Sequence, residues 1–215
     1  MLLVGHRSAV SERSRLYNQL QALLVGAPYA LRERVGPARN GATLANRLTG
    51  MRTRPTASLQ ENTTLQVLRD LANRARALHA QAEDYTRQIE AMVCSLAPTL
   101  LEEPGVGPIC AGRLLAFNPA RFTSEAAFAR ANGTAPQPAS SGKTVRHRLS
   151  RGGDRQINAA IYTIALSRSV HHAQSRAYMH HRIDEGKTKR EAMRSLKRYL
   201  SRHLYNQLTK TPLTT

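Results

Sequence analysis

Apolar residues recur every three or four positions along most of the chain, the spacing of one buried face on a helix. Leu16, Leu20, Leu23 and Leu24 follow this rule and predict one helix or two over residues 1–35, with Pro28 as an interruption. Gly36, Pro37, Gly41, Gly50 and Pro55 mark residues 36–57 as a connector with a short helix around 42–48. Ser58 and Glu61 then have the spacing of a capping box, in which each side chain meets the other residue's backbone N–H. Beyond them Leu65, Leu68, Ala72, Ala75, Leu78, Ala82, Tyr85, Ile89, Met92 and Leu96 step by threes and fours, and Pro98 closes the run. This predicts a long helix over 58–96 with a coiled-coil-like seam, closed against a second copy of the chain or inside one subunit.

The pattern changes after Pro98. The stretch EEPGVGPICAGRLLAF predicts a turn on Gly105 and Gly107 leading into a helix, and residues 123–131 predict another short helix. Residues 133–154 are polar and irregular, with room for a short hairpin. Helical spacing then returns over 155–170, 174–183 and 188–208, the last opened by a second capping box, Thr188 with Glu191. The expected fold is mainly α, with a helical, coiled-coil-like region over 1–98, a second helical domain over 99–208 and a tail over 209–215.

Composition adds a partner. Lys and Arg number 32 against 14 Asp and Glu, a formal net charge of +18, so a polyanion is expected to offset the self-repulsion. Arg greatly outnumbers Lys, which suits bidentate recognition of phosphate and guanine edges. A basic protein that only neutralises RNA is the plainer reading of the same numbers. Cys94 and Cys110 are the only cysteines and have no metal-ligand or disulfide-framework spacing. The short apolar run before His6 and Arg7 does not read as a signal peptide, and no stretch is long enough for a membrane span, so a cytoplasmic, nucleoid-associated protein is expected.

Three stretches carry candidate chemistry. The Pro-Gly-Val-Gly-Pro turn resembles a helix-hairpin-helix element, with Gly105 and Gly107 as phosphate-facing positions or as a plain turn between packed helices. The loop over 133–154 holds Ser140, Ser141, Gly142, Lys143, Arg146, Arg148 and Arg151, followed by Arg155 at a helix start. A serine hydroxyl on flexible backbone, ringed by cations that stabilise oxyanion charge, is the equipment for attack on a phosphodiester. A flexible arm laid along phosphates would use the same residues. The last helix places Met193, Leu196, Leu200 and Leu204 on one side and carries Arg190, Arg194, Lys197, Arg198 and Arg202 elsewhere on its surface, a density that favours nucleic acid over a merely solvated face. His171, His172, His180 and His181 lack acid or Cys partners in sequence, and no metal is assigned to them.

The segments PGVGPICAGRLLAF, ASSGKTVRHRLSRGGDRQINAAIY and KTKREAMRSLKRYL together resemble the C-terminal domain of the Piv- and MooV-like insertion-sequence transposases, and the first hundred residues resemble that family's helical region. The resemblance implies a serine nucleophile before Gly-Lys, which is Ser141 with Ser140 as the alternative, and site-specific DNA strand exchange. In many members it also implies a structured guide RNA. Members usually begin with a RuvC-like domain whose acidic residues hold divalent metal such as Mg. Here Asp70, Asp84, Asp154 and Asp184 are the only aspartates, and Glu12 and Glu33 are the only acids in the first 60 residues. The chain is therefore expected to act as a truncated or split transposase, inactive alone, with Mg held only by a separate RuvC-like domain. Its expected partners are DNA, a homo-oligomer or a full-length transposase, and a guide RNA where one is used. The alternative is a non-catalytic nucleic-acid-binding remnant or regulator.

Overall fold

A computed structural model of the chain describes residues 1–139, 147–148, 150 and 152–210. The architecture is mainly α, as the periodicity predicts. Ten helices occur in the order α1 (Leu2–Val25), α2 (Tyr29–Val35), α3 (Gly41–Gly50), α4 (Leu59–Leu96), α5 (Thr99–Glu102), α6 (Pro108–Phe117), α7 (Glu125–Ala131), α8 (Arg155–His171), α9 (Ala173–Asp184) and α10 (Lys189–Lys210) among the described residues. Two short strands, β1 (Gln137–Pro138) and β2 (His147–Arg148), pair antiparallel with Gln137 opposite Arg148. Among the described residues no helix is long and apolar enough to cross a membrane.

The chain forms two compact units, Met1–Gln88 and Ile89–Thr215. In the first, Leu16 and Leu20 of α1, Leu31 of α2 and Leu44 and Leu48 of α3 share one core with Leu65, Leu68, Ala72 and Ala75 of α4. Those four α4 residues have no exposed surface, so over 65–75 the predicted seam closes inside this unit. The Ser58 capping box is half formed. Ser58 Oγ accepts the Glu61 N–H at 3.1 Å, but the Glu61 carboxylate turns away to pair with Arg34. A charge-assisted contact in a nearly buried setting outcompetes a bond to a single backbone amide.

In the second unit α8 is the central helix, packed against α6, α9 and α10, while α10 also packs against α7. Ile157, Ala160, Ile161, Ile164 and Ala165 of α8 meet a core that includes Leu114, Phe128, Leu196, Leu200 and Leu204, each buried. A fully buried Leu, Ile or Phe side chain contributes about 1.5–3 kcal/mol, so this stripe dominates the stability of the unit. Asp154 caps α8 by accepting the N–H groups of Gln156 at 2.7 Å and Ile157 at 3.0 Å. At α10 the capping box is reciprocal: Thr188 N–H donates to Glu191 Oε2 at 2.9 Å, and Glu191 N–H donates to Thr188 Oγ1 at 3.3 Å.

The segment between α7 and α8 leaves and returns at one point. Gly133 has a φ of 71°, the left-handed region that favours glycine, and Gly153 lies directly on it. A Cβ built on Gly153 would stand 2.1 Å from the Gly133 nitrogen. The Asp154 N–H donates to Ala131 O at 2.7 Å and fastens the return strand to the end of α7. Gly153→Ala is expected to destabilise the second unit by about 1–3 kcal/mol, because two backbones must separate to admit a methyl group. Gly152→Ala, where a Cβ meets nothing within 4 Å, should stay within about 0.5 kcal/mol in the same denaturant titration.

Candidate functional site

Below that crossing lies a buried polar network that no sequence pattern announced. The Asn132 side chain, fully buried, donates from Nδ2 to Ser201 Oγ at 2.8 Å, while its Oδ1 accepts Thr134 N–H at 3.0 Å and Thr134 Oγ1–H at 2.7 Å. Asn158 Nδ2 donates to the Asn132 carbonyl at 2.8 Å, and Asn158 Oδ1 accepts Lys197 Nζ at 2.6 Å. The network joins the end of α7 to α8 and α10 and sets where residues 133–136 begin. Burial pushes the Lys197 pKa down from its ordinary value.

Residues 133–136, Arg148 and Ser150 form part of the wall of a cleft of about 700 Å³, which α9, the turn after it and α10 complete. Helical spacing brings Glu191, Arg194, Ser195, Arg198 and Arg202 to one long face of α10. Tyr178 and Arg182 come from α9, and Lys187 from the turn. Seven basic side chains line the cleft against two acidic ones, Glu185 and Glu191. Arg198 is engaged by a third carboxylate, giving Glu125 a two-pronged pair at 2.5 and 2.8 Å, with Arg202 Nε 3.5 Å from the same group. The hydrogen bonds from Arg198 are the main reason that the Glu125 carboxyl sits below its ordinary pKa. Glu185 is shared by Arg182 and Lys187, each at 2.8 Å, with His181 at 3.1 Å. Positive charge remains in excess around the cleft.

Of the residues proposed from sequence, Arg148, Arg194, Lys197, Arg198 and Arg202 all line this cleft. Lys197 and Arg198 also have structural duties, toward Asn158 and Glu125 respectively. Arg155 and Arg190 are exposed and are not among its lining residues. Ser140, Ser141, Lys143, Arg146 and Arg151 lie outside the described residues; in sequence, residues 140–146 connect β1 to β2. Tyr178 and Arg182 were missed because α9 has no periodic apolar stripe strong enough to reveal which side faces a neighbour; Lys187 in the turn and Tyr199 on α10 carry no local signal of their place in the cleft. The Asn132-Gly133 turn was the one available signal for the polar network.

The glycine turn is held elsewhere in the same unit. Arg168 of α8, nearly buried, donates from Nε to Pro104 O at 2.6 Å and pairs with Glu103, whose other oxygen is 3.0 Å from His203 Nε2. Burial raises the Glu103 pKa, but the bonds and charges of His203 and Arg168 outweigh it and leave the carboxyl below its ordinary value. Gly105 has a φ of 80°, and a Cβ there would lie 3.1 Å from the Ile164 carbonyl oxygen. Close packing on α8 thus accounts for this glycine. Gly107 is exposed and precedes Pro108, the first residue of α6.

Residues 97–180 match the family model described as Transposase IS116/IS110/IS902 family. The chain is also 32% identical, over 137 residues, to the "Insertion element IS110 uncharacterized 43.6 kDa protein" of Streptomyces coelicolor. That alignment covers 61% of this chain and 34% of the relative, so the chain spans about a third of the relative's length. Both similarities support an insertion-sequence transposase, and the family match falls within the second unit. The family match takes in the glycine turn, the loop, α8 and most of α9; the α10 wall of the cleft lies beyond it.

Removing Asn158 tests whether the network under the loop carries structural weight. Asn158→Ala leaves the Asn132 carbonyl and the buried Lys197 side chain without that partner, and is expected to cost about 2–3 kcal/mol in equilibrium unfolding. A change below about 0.5 kcal/mol, the range of ordinary surface substitutions, would show that water replaces the side chain freely.

Proposed function

We propose that the second unit is the DNA-handling domain of an insertion-sequence transposase, in which the basic cleft holds the DNA backbone and Ser141, or its neighbour Ser140, attacks a phosphodiester. One observation carries this reading: the segments on either side of the serine-bearing connection, residues 133–136 and Arg148 with Ser150, form a wall of the cleft. A phosphate held in the cleft would therefore lie beside the segments that flank the two serines in sequence. The similarity of residues 97–180 to a transposase family supports the same conclusion.

In the proposed reaction the serine Oγ attacks phosphorus and gives up its proton. One DNA oxygen departs and takes a proton, and the resulting phosphoserine diester conserves the bond energy for rejoining. Arg148 from the cleft wall, with Lys143, Arg146 and Arg151 from the loop, would stabilise the charge that develops on the non-bridging oxygens. Arg155, Arg190 and the exposed backbone at Gly107 extend the phosphate contacts beyond the cleft. Among the described residues no three His, Cys, Asp or Glu side chains gather where they could hold a metal ion. As part of the same proposal, a divalent ion such as Mg is held by a separate RuvC-like domain. In the same reading the chain works in an oligomer or beside a full-length transposase, and a structured guide RNA pairs with the DNA.

The binding half of the proposal is tested by affinity for duplex DNA at several salt concentrations. With roughly 4–8 phosphates neutralised, log K should fall against log salt with a slope near −0.9 per contact. The double change Arg148→Ala with Arg202→Ala should flatten that slope by about 2 and weaken all sequences alike. A slope indifferent to both changes would remove the cleft from the binding site.

The chemical half is tested by trapping. With a RuvC-like domain supplied in trans and DNA bearing the element's ends, the chain should form a protein–DNA adduct that survives denaturation. Ser141→Ala should abolish the adduct yet leave DNA affinity within a few-fold, since one neutral hydroxyl contributes only about 0.5–1.5 kcal/mol to binding. Loss on Ser140→Ala instead would exchange the two roles. An adduct untouched by either change would place the nucleophile elsewhere, and tight binding without any adduct would favour the non-catalytic regulator.

A further inference from the structure

Aromatic residues are scarce in this chain, which has no Trp, three Phe and seven Tyr. The three Phe cluster in the second unit, where Phe117, Phe122 and Phe128 pack with centroids 5.2–5.7 Å apart and Phe128 also meets Tyr205. Tyr178 and Tyr199 are different. They stack on each other across α9 and α10, with ring centroids 6.1 Å apart and planes inclined by 29°, and both line the basic cleft. Tyr199 keeps 53% of its surface exposed. The Arg182 guanidinium lies over the Tyr178 ring, 5.9 Å from its centre, and adds a cation to the pair.

From this arrangement we infer that the Tyr199–Tyr178 pair is a stacking platform for an unpaired nucleotide, and that the cleft takes a single-stranded or extruded stretch of nucleic acid rather than duplex alone. The inference rests on the reading of the cleft as a nucleic-acid site and adds the state of the strand that it holds. Paired bases in a duplex have both faces covered by their neighbours, so an exposed aromatic ring gains little from them. An unpaired base offers a free π-face, and cations within one helical turn retain its phosphates. Arg202 follows Tyr199 by three residues on α10, about 4.5 Å along the axis, which puts a charge beside the platform. Tyr178, the more buried ring, backs Tyr199 and holds its plane; the half-exposed ring is the one free to receive a base. Unpaired DNA and unpaired RNA present the same chemistry to this pair.

The test uses fluorescence anisotropy of the full chain with labelled oligo-dT, oligo-rU and a duplex, each about 12 nucleotides long, within the site sizes of single-strand binders. Tyr199→Ala should weaken the single-stranded probes by roughly 5- to 100-fold. It should leave the duplex unchanged, and Tyr199→Phe should bind as the parent does. The single-stranded probe that the parent binds more tightly, DNA or RNA, identifies the source of the strand. The paired change at Arg148 and Arg202 should weaken every probe, which separates loss of the cleft from loss of the platform. If Tyr199→Ala lowers duplex and single-strand affinity alike, or lowers only the melting temperature, the pair merely joins α9 to α10 and the inference falls. If the parent binds none of the probes, or poly-glutamate competes with them as well as oligo-dT does, the nucleic-acid reading of the cleft falls with it.

Discussion

The contact between the backbones of Gly133 and Gly153 governs the second unit, because it brings the two ends of a 19-residue excursion to the same place. Loop closure costs entropy that grows only slowly with length, so the expense lies less in the excursion than in holding its ends with defined direction. The glycines remove the steric obstacle. Asn132 and Asn158 then supply the fixed hydrogen bonds, and Asp154 starts α8 immediately after the crossing. Asn132 is fully buried and Asn158 partly so, and amides engaged in this way resist displacement, since a broken bond leaves an unsatisfied group in a setting poor in water.

The cleft depends on that crossing in a second way. Lys197 reaches Asn158 and Arg198 reaches Glu125, so α10 is tied to α8 and α7 by two of its own cations. Their neighbours one turn away are thereby held along a single face. Carboxylates are present, but two of them are shared among several cations: Glu125 between Arg198 and Arg202, and Glu185 among Arg182, Lys187 and His181. Such sharing limits self-repulsion in the free protein and still leaves net positive charge for a polyanion. The stacked tyrosines add an apolar surface to the same wall.

Helix positions were legible because their signals are local. Pro28, Pro98 and the Thr188–Glu191 pair each act within a few residues, and the 3.6-residue period repeats often enough to outweigh individual exceptions. The predicted hairpin in the loop was legible too, and β1 and β2 form it. Glu61 shows where local reasoning stops: its spacing from Ser58 is that of a capping box, but Arg34, 27 residues away, captures the carboxylate. Gly105 makes the same point, since its proximity to Ile164 depends on how α8 packs and on nothing in its own motif.

By itself, then, the sequence determined that the chain is helical, where most helices start and stop, that it carries a formal net charge of +18, and which loop concentrates serine and arginine. Tertiary structure decided which of those arginines share a cleft. It also decided that Arg198 and Lys197 are partly committed to structural partners, and that Tyr178 and Tyr199 meet. The division has a physical cause. Capping, periodicity and net charge follow from a residue's immediate neighbours or from simple addition, whereas a cleft and a stacked pair depend on distances between helices far apart in sequence, set by the packing of the whole core.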